Sequence, residues 1–310
     1  MRVVFMGTPE IAATCLSALI DGGHEIAAVI TGEDKPRGRR MVMTPTATKA
    51  LALEKGIAVY TPKTLKDEAF MDLLSSLAPE VIVVVAYGKI LPESVLRFPK
   101  YGCINVHVSL LPKYRGAAPM QRAVINGEKE TGVTLMQMDV GLDTGDILMQ
   151  SSFPIGAEDT FETVHDTSAA LGGAMLCELL PALARGEVTP VKQDDAYSTY
   201  AAKIEKADCH IDFHKNAKEL NCLIRGVNPI PMAFCLQGEK TLKIVRAVPI
   251  AGKGAPGEVL SLSDEGEGSI TVACGDGALS ITHLIPEGKG RMTAADYIRG
   301  RKIQKGEILC

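Results

Sequence analysis

Residues 102–116, GCINVHVSLLPKYRG, decide how the rest of the chain is read. Strand side chains alternate between faces, so Ile104, Val106 and Val108 share one face and Asn105, His107 and Ser109 the other. The apolar face suits a core. The polar face lines up an amide, an imidazole and a hydroxyl just before Leu110-Leu111-Pro112 breaks the alternation. In open α/β sheets, ligands bind outside the C-terminal ends of the strands. An amide that donates to a developing oxyanion, beside an imidazole that carries a proton, suits acyl-group transfer. Partial burial would lower the imidazole pKa and keep it neutral near pH 7.

The residues around this strand read as βα alternation. Strands are expected over 2–6, 24–30, 81–87, 132–138 and 147–155, and helices over 10–20, 45–54, 65–77, 117–125 and 161–184. Such alternation defines an α/β fold with a doubly wound, mainly parallel sheet. The texture changes near Gly186. One helix over 216–224 is followed by short β runs over 232–236, 241–247, 257–261, 269–273 and 278–284, closely punctuated by Gly and Pro. That cadence indicates a small, OB-like β-barrel. The expected organisation is a catalytic domain over 1–189, a linker over 190–207 and a C-terminal barrel domain over 208–310.

Composition narrows the class. The 310 residues suffice for two domains, and 46% hydrophobic with 23% charged residues is ordinary for a soluble globular protein. No uninterrupted apolar run reaches the length of a membrane span, and the opening MRVVFMGTPE lacks a signal-peptide layout. The eight cysteines are scattered without a CxxC pair, which argues against a zinc ribbon and for reduced thiols in a cytoplasmic protein. Residues 1–205 hold 19 Lys and Arg against 25 Asp and Glu, and residues 206–310 hold 14 against 12. Neither half is a basic domain that grips nucleic acid unaided, so a polyanion must meet local clusters. One such cluster is 33–41, EDKPRGRRM, where Lys35, Arg37, Arg39 and Arg40 share a Pro- and Gly-broken loop suited to clamping phosphates.

His107 needs a carboxylate to orient it. The segment MDVGLDTGDI, 138–147, offers Asp139, Asp143 and Asp146, and Asp143 stands between Gly141 and Gly145, free to project into a crevice. The aspartate spacing does not match an EF-hand calcium loop. Gly7-Thr8-Pro9-Glu10 occupies the place of a dinucleotide-binding GxGxxG without matching it. Glu10 puts a carboxylate in the first helical turn, where a phosphate would otherwise sit, which argues against an NAD enzyme. In CHIDFH, 209–214, strand alternation turns Ile211 and Phe213 inward and the polar residues outward, and no metal site is expected.

Together MGTPEIAA, VVVAYGKILP, GCINVHVSLLPKYRGAAPMQRAVINGEKETGVTLMQMDVGLDTGDIL, RGVNPIPMAF and GKGRMTAADYIRGRKI resemble the methionyl-tRNA formyltransferase family over essentially the whole chain. The resemblance implies a formyltransferase-like Rossmann variant. It implies transfer of a formyl group from the co-substrate 10-formyltetrahydrofolate to initiator methionyl-tRNA, for translation initiation. Asn105, His107 and Asp143 would be the catalytic trio, with Ser109, Leu110, Leu111 and Pro112 part of the folate site. Lys35, Arg37, Arg39 and Arg40 would contact the tRNA acceptor arm. Ile11 departs from the family, which often carries an aromatic there. The alternative is a folate-dependent formyltransferase acting on a small-molecule amine; the acidic first turn and the appended barrel speak against it. A monomer is expected, with tRNA and folate as partners, no obligate protein partner and no membrane.

Overall fold

The computed structural model describes residues 1–37 and 41–310, Arg37 by its backbone alone. The chain divides into two compact units. The first comprises residues 1–116, 131–153 and 165–201, and the second 117–130, 154–164 and 202–310. The division is not a single cut. The helix Pro119–Ile125, expected in the catalytic domain, packs within the second unit against the helix Ala217–Gly226. A Cβ on Gly226 would lie 2.5 Å from Ile125 Cγ1 and 3.1 Å from the Gln121 carbonyl oxygen, so only glycine permits that approach.

The first unit is built on a seven-stranded sheet in the order Ile147–Pro154, Glu130–Gln137, Cys103–His107, Val81–Val85, Arg2–Gly7, Glu25–Ile30 and Val59–Tyr60. The last five run parallel to one another. Glu130–Gln137 lies antiparallel to Cys103–His107, with Asn105 opposite Met136 and His107 opposite Thr134. Val81–Val85 is β-branched throughout and buried at every residue, the pattern of a strand covered on both faces. On one face Phe70, Leu74 and Leu77 of the helix Glu68–Leu77 join a core with Val4, Ile82 and Val84. Asp67 caps that helix by accepting from the Phe70 amide at 3.0 Å.

The helix Phe161–Ala184 is long and apolar enough to cross a membrane, its most apolar 18-residue stretch having a mean hydropathy of 1.4. Its packing in this unit accounts for that apolarity. Cβ atoms on Gly172 and Gly173 would stand 2.9 Å from Val106 Cγ1 and 2.7 Å from Ala18 Cβ. The glycines let the helix settle on the strand that carries His107 and on the helix Glu10–Asp21. Residues 190–201, expected as part of a linker, are held in this unit. Val191 bridges to Ile147, and Tyr200 and Ala201 pair in parallel with Arg115 and Gly116.

The second unit is an antiparallel sheet in the order Ala233–Gln237, Lys240–Ile250, Ala278–Pro286, Ser269–Ala273 and Val259–Ser263, with Met292–Thr293 added to Ala278–Pro286. Its two free edges meet through the C-terminal segment. Leu309 bridges to Gln237 and Ile308 to Glu258, and the Leu309 amide donates to the Gly257 carbonyl at 2.9 Å. Closure of this kind leaves no long edge for another chain to pair with. Leu220 and Ile224 of Ala217–Gly226, with Ile211 and Phe213, fill the interior.

Gly7 ends the first strand where three elements converge. A Cβ there would lie 2.6 Å from Ala12 Cβ and 2.9 Å from the Val85 carbonyl oxygen. Gly7→Val is therefore expected to destabilise the protein by about 1–3 kcal/mol, seen as a lowered Tm in thermal unfolding. An unchanged Tm would contradict the close approach.

Candidate active site

The strand Cys103–His107 delivers Asn105 and His107 to the C-terminal end of the parallel sheet. His107 is 5% exposed. Its Nε2 lies 2.9 Å from the Tyr114 carbonyl oxygen. A carbonyl only accepts, so Nε2 carries the ring hydrogen and donates, and in the neutral ring Nδ1 keeps its lone pair. Nδ1 stands 3.7 Å from Asp143 Oδ2, too far for a hydrogen bond. Burial pushes the His107 pKa below its ordinary 6.5, while the Asp143 carboxylate and the bond to Tyr114 work against that shift. The imidazole is thus neutral at pH 7, with a proton-accepting nitrogen turned toward a carboxylate.

The turn that brings Tyr114 back over His107 is fixed by residues far apart in sequence. The Ser109 hydroxyl donates to the Lys113 carbonyl at 2.7 Å. Thr134, opposite His107 on the next strand, donates to the Ser109 carbonyl at 2.7 Å and accepts from the Leu111 amide at 3.2 Å. Gln150 Nε2 donates to the Leu111 carbonyl at 3.0 Å and to Thr134 Oγ1 at 2.8 Å. Tyr114 itself is left-handed, at φ 61°, and its amide donates to Thr199 Oγ1 at 2.8 Å.

Asp143 lies in the turn between Glu130–Gln137 and Ile147–Pro154. The Gly116 amide donates to its Oδ2 at 2.9 Å, so a backbone N–H anchors the carboxylate that faces the imidazole. The other loop aspartates do different work. Asp139 Oδ1 accepts from the Gly141 amide at 2.9 Å and the Thr144 hydroxyl at 2.7 Å, shaping the turn, and Asp146 lends its carbonyl to the Gln137 amide at 2.8 Å.

Asn105 is half-buried, and its side-chain amide has no hydrogen-bond partner among the described residues. Of the expected folate-site residues, Ser109 and Leu111 are buried, with the Ser109 hydroxyl bonded inside the turn, while Leu110 and Pro112 are partly exposed. They shape the turn. Within the basic segment, Lys35–Arg37 pairs antiparallel with Val42–Thr44. A buried hydroxyl cluster lies at its base, where Thr31 and Thr46 are 2.8 Å apart and Thr48 donates to the Gly7 carbonyl at 2.9 Å. Lys35 is exposed; Arg39 and Arg40 lie outside the described residues. Pro9 is the N-cap of its helix, with Glu10 exposed in the first turn. Among the described residues no cluster of three or more His, Cys, Asp or Glu could hold a metal ion.

The fold and this site define a class: the chain belongs to the formyl transferase family, whose model matches residues 1–180 and whose C-terminal-domain model matches 203–302. Within it, the chain belongs to the methionyl-tRNA formyltransferase family. It is 47% identical to the methionyl-tRNA formyltransferase of Citrifermentans bemidjiense, covering 100% of this chain and 96% of that one. It is also 47% identical to that of Caldanaerobacter subterraneus subsp. tengcongensis, with both chains fully covered. In fold it resembles HypX from Aquifex aeolicus, solved in complex with tetrahydrofolic acid. That match has a TM-score of 0.67 at 20% identity, over 96% of this chain and 47% of that one.

His107 has a lower pKa folded than in an unfolded chain. Its contribution to stability is therefore full above about 6.5 and is lost as pH falls through the folded value. In Asp143→Asn the carboxylate that raises the pKa is gone, so an NMR titration of the ring should place His107 lower still. A rise would show that Asp143 does not act on the imidazole.

Proposed function

We propose that this protein transfers the formyl group of 10-formyltetrahydrofolate to the α-amino group of methionine on initiator methionyl-tRNA. The observation that carries the chemistry is the juxtaposition of two acceptors, His107 Nδ1 and Asp143 Oδ2, at 3.7 Å. Facing acceptors favour a donor beside them, and an amine N–H is such a donor. The names of the relatives, matched over essentially their whole length, identify the acceptor class as a methionyl-tRNA. The fold shared with a protein solved with tetrahydrofolic acid supports a folate donor.

Folate, when bound, supplies the formyl carbon as the electrophile. The residues present fit that role: Asn105 offers an uncommitted amide at the sheet's C-terminal end, next to the imidazole. Asn105 donates to the formyl oxygen as negative charge develops there. As the amine nitrogen bonds to the formyl carbon, His107 Nδ1 takes the proton the amine loses. Asp143 stabilises the resulting imidazolium. His107 then returns that proton to the nitrogen whose bond to the formyl carbon breaks, so the reaction neither consumes nor releases a proton. Lys35, Arg37, Arg39 and Arg40 are assigned to the acceptor-arm phosphates, and the turn Ser109, Leu110, Leu111 and Pro112 to the folate side of the site. The protein is assigned to the cytosol as a monomer. All eight cysteines are free, and burial pushes Cys15 and Cys103 up to about 12, which fits inert structural thiols in a reducing compartment.

The direct test is incubation with 10-formyltetrahydrofolate and charged initiator tRNA, following loss of the free amine. Formylation of the charged tRNA is expected. Turnover only with small amines would overturn the acceptor. Asn105→Ala and His107→Ala should each lower kcat on the order of 100–1,000-fold with folate binding retained; near-normal turnover in either removes it from the mechanism. Replacing both Arg39 and Arg40 with Ala should weaken tRNA use. It should also flatten the dependence of log kcat/KM on log salt by about 0.7–0.9 for each phosphate no longer neutralised. An unchanged kcat/KM for the charged tRNA would count against the clamp.

A further inference from the structure

Gln193 lies in the stretch 190–207 whose sequence carries no period, and only 6% of its surface is exposed. Its hydrogen-bonding capacity is fully used. Nε2 donates to the Asp143 carbonyl at 2.9 Å and to the Gly145 carbonyl at 2.7 Å. Oε1 accepts from Arg115 Nε at 3.1 Å and Nη2 at 2.9 Å. Arg115 Nη2 also reaches Asp195 Oδ1 at 2.7 Å. A guanidinium on the amide oxygen polarises the amide and strengthens its two N–H donors.

The segment those donors hold is strained. Asp143 has φ 53°, a left-handed conformation that an L-residue with a side chain adopts at a cost and keeps only when its surroundings fix it. At Gly145 a Cβ would fall 1.7 Å from the Gln137 carbonyl oxygen, so the turn lies flat on its strand. The carboxylate is fixed from the side of Gly116. The main chain behind it is fixed by Gln193, itself held by Arg115, the residue next to Gly116. One dipeptide, Arg115-Gly116, thereby fixes both ends of residue 143.

We propose that Gln193 is a positioning residue for the formyl-transfer reaction, holding the Asp143 backbone so that its carboxylate faces His107 Nδ1. The inference rests on the catalytic reading of Asp143. Glutamate at 193 would keep the Arg115 contact but turn an oxygen on two carbonyls. Methionine would fill similar space without a donor or acceptor.

The test compares Gln193→Met, Gln193→Glu, Asp143→Asn and the double variant Asp143→Asn/Gln193→Met in steady-state formylation of charged initiator tRNA. Each single change at 193 should lower kcat by roughly 10- to 100-fold, with KM for the tRNA and for the formyl donor unchanged. In the Asp143→Asn background, Gln193→Met should add no further loss, because two residues acting through one carboxylate are not additive. Wild-type kcat in both single variants at 193 would overturn the proposal. So would an effect confined to KM, or a full extra loss in the double variant. Wild-type turnover by Asp143→Asn would instead remove the catalytic role of Asp143, and the positioning role with it. Should Gln193→Met fail to fold, Gln193→Glu and its double with Asp143→Asn decide the matter by the same comparison.

Discussion

The bond from His107 Nε2 to the Tyr114 carbonyl oxygen is the constraint on which the site depends. It assigns the ring hydrogen and leaves the other nitrogen basic. It also requires the chain to double back within seven residues, through a left-handed Tyr114 and a turn whose polar groups are bonded to Thr134, Gln150 and Thr199. The antiparallel strand Glu130–Gln137 contributes Thr134 directly opposite His107. The reversal of direction in an otherwise parallel run of strands thus has a local consequence: it puts the hydroxyl that braces the turn where the imidazole needs it.

In many catalytic triads a carboxylate orients the imidazole by a direct hydrogen bond. Here a main-chain carbonyl does the orienting, and Asp143 Oδ2 is bonded to the Gly116 amide. The carboxylate is therefore free to act as a charge rather than as a hinge. Burial disfavours the imidazolium and Asp143 favours it, with burial the larger effect, so the ring rests neutral and gains a proton only when the reaction supplies one. A base that is neutral before the amine attacks and stabilised once protonated matches the order of events in acyl transfer.

Much of this was legible in residues 102–116. Alternation placed Asn105 and His107 on one face, and the helix-strand cadence gave the mainly parallel sheet. Asp143 was legible from its flanking glycines, since Gly145 leaves room for nothing larger. The bond from the Ser109 hydroxyl to the Lys113 carbonyl was not legible, because a period of two says nothing of what the following turn covers. Gln193, Thr134 and Gln150 left no signal, because their roles consist of hydrogen bonds to main-chain atoms of distant residues. The expected helix over 117–125 was correct in kind, but its packing partner lies more than a hundred residues on, at Gly226. The closing role of Ile308 and Leu309 was hidden for the same reason, two bridges being too few to leave a periodic pattern.

The most direct test is the tautomer of His107, read from long-range ¹H–¹⁵N correlations of the histidine rings at neutral pH. A neutral ring with its hydrogen on Nε2 and an unprotonated Nδ1 is the expected result. A hydrogen on Nδ1, shared with Asp143, would contradict it.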